Sequence, residues 1–112
     1  MSLLVRAFPV VGGRGEVEKL AAEMRERAAD VRRFYESFGV TRESWFLQET
    51  EHGPMVIGVT EVDDLENAAR DYAQTTEHFA AWFKSRVKEI SGIDPNEQPL
   101  GPPTEMIFEF KA

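Results

Sequence analysis

The apolar positions in the first third of the chain predict a strand followed by a long helix. Residues 3–10, LLVRAFPV, form a short apolar run that a glycine cluster ends, which is typical of a strand. From residue 16 to residue 38 the apolar positions recur at helical steps, and Gly39 stands where a left-handed residue commonly ends a helix. The helix would bury one stripe, formed by Val17, Leu20, Met24, Val31, Tyr35 and Phe38.

The middle of the chain predicts a hairpin. Residues 43–50 and 55–62 are two runs rich in β-branched and aromatic residues, which favour strands. Between them lie His52, Gly53 and Pro54, whose residue types favour a turn. Because the two runs are so close in sequence, we expect them to pair as antiparallel neighbours.

Helical spacing returns after the hairpin. Asp63 followed by Glu66 resembles a capping box, which predicts the start of a helix. Thr75 or Thr76 would cap a further helix that stops at Gly92. This last helix would bury Phe79, Phe83, Val87 and Ile90.

The chain closes with a proline-rich loop and a last predicted strand. The prolines of residues 93–103 disfavour helix and central strand, whereas TEMIFEFK at 104–111 alternates as a strand does. The order of elements predicts an α+β, ferredoxin-like split βαβ fold, with a four-stranded antiparallel sheet covered on one face by a long helix and a helix pair. No linker or repeat interrupts it, so we expect residues 1–112 to form one domain.

Both faces of the predicted sheet carry large apolar side chains, which alternate along each strand. The set expected to meet the helices is Leu3, Val5, Ala7, Trp45, Leu47, Met55, Ile57, Val59, Met106, Phe108 and Phe110. The second set is Leu4, Arg6, Phe8, Val10, Ser44, Phe46, Gln48, Val56, Gly58, Thr60, Ile107 and Glu109. That second face would exceed the apolar patch a soluble monomer usually exposes, so we expect a second copy of the chain to cover it, as a homodimer through the sheet face.

Composition and charge exclude several functional classes. No apolar run approaches the about 18 residues of a membrane span, and MSLLVRAF lacks the features of an export signal. A formal net charge of -7 would repel nucleic acid. The chain has no cysteine, and its two histidines lack metal-binding spacing. We therefore expect a cytoplasmic protein with no metal, no cofactor, and neither nucleic acid nor membrane as a partner.

The sequence resembles one superfamily. The order of elements, the glycine-rich start of the long first helix, and ESWFLQ followed by a short turn and MVIGVTEV are similar to the dimeric α+β barrel superfamily, which includes the antibiotic-biosynthesis monooxygenases. The resemblance covers most of the chain, and we expect an uncharacterised small-domain family within the superfamily. It implies that two sheets form a closed or nearly closed barrel, with a ligand between sheet and helices or within the barrel.

Three polar side chains are candidates for catalysis. His78, at the start of the last helix, would be an acid or base if that face lines a pocket; the alternative is a partly exposed helix histidine. Arg6 would face Glu109 across the first and fourth strands, as an ion pair or as a site for a substrate carboxylate. Gln48 lies on the second face of the sheet. His52 is expected to be only an exposed turn residue.

Four further residues are candidates for ligand binding: Trp45, Tyr72, Trp82 and Arg86. The two tryptophans, with two phenylalanines of the last helix, would form an aromatic pocket for a planar ligand, although helical spacing favours a core role for the phenylalanines. Trp82 is offset from the buried stripe, so it would line a cavity edge or a dimer contact.

Two functions remain open from the sequence. The first is a homodimeric binding or interaction module without evident catalytic machinery. The alternative is a cofactor-independent, monooxygenase-like enzyme acting on a small, possibly aromatic substrate in a barrel cavity. An enzyme predicts an enclosed pocket where polar groups converge, whereas a module predicts a filled interior. The loop at 93–103 would be a lid over such a pocket or an arm reaching across the dimer.

Overall fold

The structure is a computed structural model that describes residues 2–75 and 77–112. It confirms the α+β class, with a hairpin between two helical segments. The elements are β1 Ser2–Pro9, α1 Arg14–Glu26, α2 Ala28–Glu36, β2 Val40–Thr50, β3 Gly53–Val62, α3 Leu65–Gln74 and α4 His78–Ser91. Within the described residues, no helix has the length and apolar character needed to cross a membrane.

The sheet has three strands in the described residues, not the four that we predicted. The strands are antiparallel in the order β1-β3-β2, so β3 is central and both β1 and β2 are edges. The predicted fourth strand, 104–111, forms no ladder with β1. One reason is that Pro102 and Pro103, where the segment passes β1, have no N–H to donate.

The long first helix is divided in two at Arg27, which contradicts the prediction of one helix over 16–38. The seven-residue gap in the predicted stripe between Met24 and Val31 contains the break. Either side of it, the two halves bury side chains in different parts of the core: α1 packs against the sheet through Leu20, whereas α2 packs against α4 through Phe34. The break allows α1 and α2 to pack their apolar sides against different parts of the core.

The helix ends agree with the sequence more closely than the starts do. Gly39 and Gly92 both adopt the left-handed conformation, with φ of 73°, after α2 and α4. The side chain that caps α3 is that of Asp64, one residue later than predicted, and it accepts the Asn67 backbone N–H at 3.1 Å. The predicted cap at Thr76 lies outside the described residues.

The faces of β1 and β3 are the reverse of our prediction, whereas those of β2 are as predicted. Trp45 pairs with Gly58 and Leu47 with Val56, so odd positions of β2 share a face with even positions of β3. Thr50 pairs with Gly53, so the turn is Glu51 and His52 alone, whereas Gly53 and Pro54, predicted in the turn, belong to β3. A one-residue change of register moves every side chain of a strand to the other face.

The core lies between the helices and the sheet face that carries the even positions of β1 and β3 and the odd positions of β2. It contains two buried clusters, one under α1 and one between α2 and α4: Phe8, Val10, Val17, Leu20, Val56 and Ile90 in the first, and Phe34, Ala80, Phe83 and Val87 in the second. The outer face is still apolar, with different residues from those predicted. It includes Leu3 and Phe46, which are 44% and 57% exposed.

Candidate functional site

A cavity of about 460 Å³ lies between the helix-facing side of the sheet and the helices. All three strands form its floor, α2, α3 and α4 form its walls, and residues 95–100 of the proline-rich loop complete the lining. Its lining is mainly apolar and aromatic. This volume is within the range of about 300–1,000 Å³ that small-molecule sites occupy.

Glu43 is the acidic group that β2 places in the cavity floor. It is the direct cross-strand partner of Thr60 on β3, and the Thr60 hydroxyl donates to the carboxylate, at 2.9 Å from Oε2 and closer to Oε1. Burial raises the pKa of Glu43 to about 7, although hydrogen bonds from Thr60 and Trp45 lower it. Near neutral pH the carboxyl therefore exists in both protonation states, as a group that transfers protons must.

Two phenols face the same space. Tyr35 on α2 and Tyr72 on α3 both line the cavity. Burial raises the pKa of each phenol well above its usual value, and the negative charge of Glu43 raises it further. Both hydroxyls are therefore neutral across the physiological range and serve as hydrogen-bond donors.

An aromatic wall stands beside Glu43. The Trp45 ring lies 6.0 Å from that of Phe83, centre to centre, and both rings line the cavity. Gly58, opposite Trp45 on the central strand, has no side chain to occupy the floor; a Cβ there would make an ordinary van der Waals contact with the indole, at 3.9 Å. A ligand in the cavity would therefore meet an apolar surface directly next to the Glu43 carboxyl.

The proline-rich loop is held against the cavity by Lys84. Only 4% of Lys84 is exposed, and its ammonium donates to Asn96 Oδ1 at 2.9 Å and to the Thr75 carbonyl at 3.3 Å. The same ammonium lies 4.9 Å from the centre of the Tyr72 ring. Burial lowers the pKa of Lys84. Loop residues 95–100 thus cover the cavity of their own chain, as a lid would.

Three of the residues singled out from the sequence lie together in the cavity: Arg6, Trp45 and Tyr72. Arg6 does not meet Glu109, which contradicts the predicted pairing. Its guanidinium donates to the Pro102 carbonyl at 3.4 Å, and Glu109 lies near Lys111 instead, at 3.6 Å. The predicted pairing required residue 109 to lie in a fourth strand beside β1, and residues 104–111 form no ladder with β1.

The other four candidates lie outside the cavity lining. His78 is the exposed first residue of α4, and Gln48 is exposed on the outer face of the sheet. Trp82 packs under the guanidinium of Arg27, whose Cζ lies 4.2 Å from the ring centre. Arg86 forms ion pairs with three carboxylates, those of Glu16, Glu23 and Glu89.

Sequence reasoning missed Glu43, Thr60 and Tyr35 as site residues. The signal for Glu43 was its position two residues before Trp45, because residues two apart on a strand share a face. A carboxylate on the helix-facing side of a strand is unusual enough to be informative. His52 is an exposed turn residue, as expected, with 88% of its side chain accessible. Among the described residues no group of three metal-ligating side chains comes together.

The fold has a counterpart of known structure, although no protein-family model and no curated protein matches the chain. The chain resembles the crystal structure of the L-rhamnose mutarotase FA22100 from Formosa agariphila, with a TM-score of 0.67 over 99% of this chain and 100% of that one. Only 15% of the residues are identical. At this identity the likeness concerns the fold alone, and it agrees with the α+β, ferredoxin-like class predicted from the sequence.

The expectation of a binding or interaction module without catalytic machinery is wrong. The solved structure that shares the fold is an enzyme, and the interior is an open cavity with an ionisable carboxyl rather than a filled core. The alternative, an enzyme acting on a small molecule in a cavity, agrees better with both findings.

Proposed function

We propose that the chain is an acid–base enzyme that interconverts the anomers of a small sugar in its cavity, as the mutarotase with the same fold does for L-rhamnose. The observation that carries the proposal is the Glu43 carboxyl, which faces the cavity and has a pKa of about 7. Enzymes hold such groups near the working pH because they must both give and take a proton.

Mutarotation needs two proton transfers on neighbouring oxygens. The bond between C1 and the ring oxygen breaks as the ring oxygen gains a proton and the C1 hydroxyl loses one, which leaves an open-chain aldehyde. Rotation about the C1–C2 bond and the reverse transfers close the ring as the other anomer. A neutral carboxyl can do both at once, because one oxygen donates its proton while the other accepts, and the acid is regenerated.

The surrounding side chains fit this task. Glu43 supplies the carboxyl, and the Thr60 hydroxyl holds its orientation. The neutral phenols of Tyr35 and Tyr72 donate hydrogen bonds to sugar hydroxyls, and Trp45 offers an apolar surface to the C–H face of the ring. Since the neutral form of Glu43 is the active one, the rate falls as pH rises through about 7.

The test is exchange NMR between the α and β anomers of a panel of aldoses, L-rhamnose included, at pH 6. The wild-type protein is expected to accelerate exchange for at least one sugar, and Glu43→Gln to lose about 100-fold or more of that acceleration. Glu49→Gln is the control, since Glu49 is an exposed carboxylate on the same strand that pairs with Arg14. No acceleration of any aldose, or equal rates for Glu43→Gln and wild type, would contradict the proposal.

The aromatic lining favours a second candidate. Rings of Phe8, Trp45, Tyr72 and Phe83 border the cavity, which suits a planar phenolic substrate as well as a sugar. In that case Glu43 would deprotonate the phenol for cofactor-independent reaction with dioxygen. Oxygen uptake with phenols and hydroquinones, together with no acceleration of sugar exchange, would favour this candidate over mutarotation.

We also propose that two copies associate through the outer face of the sheet. Leu3 and Phe46 are among the large hydrophobic residues that this face exposes, and Met55, Ile57 and Val59 lie beside them. Covering an apolar face of this kind is the ordinary reason for a small sheet domain to form a homodimer.

A further inference from the structure

The C-terminal segment, residues 104–112, exposes most of its large apolar side chains. Met106 is 60% exposed, Ile107 91%, Phe108 84% and Phe110 80%. An aromatic side chain carries about 150–250 Å² of surface, so the two phenylalanines alone expose about 300 Å². Soluble monomers rarely leave such a run of apolar groups in water.

The segment cannot be covered by its own strand β1. Gly101 lies beside Ala7, where a Cβ would come within 2.2 Å of the carbonyl oxygen, and Thr104 donates to the Val5 carbonyl at 2.6 Å. The segment therefore runs antiparallel to β1. Beyond Val5 only three residues of β1 remain, namely Leu4, Leu3 and Ser2. If the segment continued in the same register, Phe108 and Phe110 would come beyond Ser2, where β1 begins in the described residues.

The other edge of the sheet is uncovered. Strand β2, with 11 residues, bonds only to β3 in the described part of the chain. The segment starts beside β1, so pairing with β2 of its own sheet would require it to cross β1, β3 and β2, a shift of four strand spacings or roughly 19 Å. Met106, Phe108 and Phe110 share one side of the segment, whereas Ile107 lies with Glu109 and Lys111 on the other, as in a strand with one mainly apolar face.

We propose that each chain adds its segment 104–111 as a fourth strand to the β2 edge of a second copy. The proposal rests on the proposed homodimer, and specifies which parts of the two chains join. It accounts for a strand-like sequence that has no strand partner among the residues described for its own chain. Backbone pairing along an exposed edge is a common mode of recognition. The two exchanged segments would add about 600 Å² of phenylalanine surface to the interface, against about 1,600 Å² for a typical stable one.

The first experiment measures dimer dissociation by analytical ultracentrifugation over a dilution series. Wild type is compared with the double variant Phe108→Ser/Phe110→Ser. The control is Val11→Ser, which replaces an exposed apolar residue by serine elsewhere on the surface; Val11 is 66% exposed. We expect a wild-type dimer, a dissociation constant raised about 100-fold or more in the double variant, and no change in the control.

Hydrogen exchange on the wild-type protein gives a readout that does not depend on a variant. Amides of 105–111 and the β2 amides that point away from β3 should be protected where the dimer is saturated and lose protection on dilution. Suppose that the wild type is a dimer, but its dissociation constant is unchanged in the double variant or the amides of the segment and of the β2 edge exchange freely. Either result overturns the strand exchange and leaves the homodimer through the outer face. A wild-type monomer overturns both, and neither result bears on the activity assay with Glu43→Gln.

Discussion

Replacing Glu43 by glutamine should change how the stability of the protein depends on pH. In the folded state the pKa of Glu43 is about 7, against an ordinary value of 4.5, because burial disfavours the charged carboxylate. The folded protein therefore holds this proton more tightly than the unfolded chain does. The stabilisation of the folded state by this tighter proton binding is fully present below pH 4.5 and is lost as pH rises through about 7.

The magnitude follows from the two pKa values. At about 1.4 kcal/mol per pH unit, the difference between 4.5 and about 7 corresponds to roughly 3 kcal/mol. Glutamine keeps the size of the side chain and has no proton to lose. The free energy of unfolding of Glu43→Gln minus that of wild type should thus become more positive by about 3 kcal/mol between pH 4 and pH 8.5.

Urea unfolding at intervals of half a pH unit measures this difference directly. Taking wild type and variant at the same pH cancels the contributions of all other titrating groups. Glu49→Gln, in which an exposed carboxyl is removed from the same strand, should give a nearly constant difference. If the Glu43→Gln difference is also constant with pH, the carboxyl is not held in a desolvated site and the reasoning is refuted.

Two further changes test the packing around the site. Leu20→Ala removes a side chain that is 1% exposed in the cluster between α1 and the sheet, so it should lower the unfolding free energy measured by urea titration by about 2–5 kcal/mol. Val11→Ala, at an exposed position, should lower it by less than about 0.5 kcal/mol. Similar losses for both variants would contradict the assigned core. Gly101→Ala puts a side chain at φ of 84° and 2.2 Å from the Ala7 carbonyl oxygen. It should lower the unfolding free energy by about 2 kcal/mol or more and speed proteolysis of the loop. If stability and proteolysis are both unchanged, the segment does not approach β1.

Much of the fold could be predicted because local pattern determines it. Helical spacing, the hairpin and the glycines at 39 and 92 each depend on neighbouring residues only. The faces of β1 and β3 could not be predicted with the same success, because they depend on a register that a single turn residue changes. The pairing of the last segment also depends on distant parts of the chain, or on a second chain.

The site was harder to predict because it is assembled across elements. Trp45 and Tyr72 were identified by residue type, and both line the cavity. Glu43 looked like one of many carboxylates in an acidic chain, and only its strand partner and the helices above it make it distinctive. His78 was a candidate because of its chemistry, yet a histidine at a helix start has no cavity around it unless the fold supplies one.

The central claim is that the cavity holds a carboxyl that titrates near neutral pH. The direct measurement is the carboxyl ¹³C chemical shift of Glu43 from pH 4 to pH 9 in protein labelled at glutamate, with Glu43→Gln used to assign the resonance. The account predicts a midpoint at about 7 for Glu43. A midpoint near the ordinary 4.5 would contradict it, and the proposed acid–base role with it.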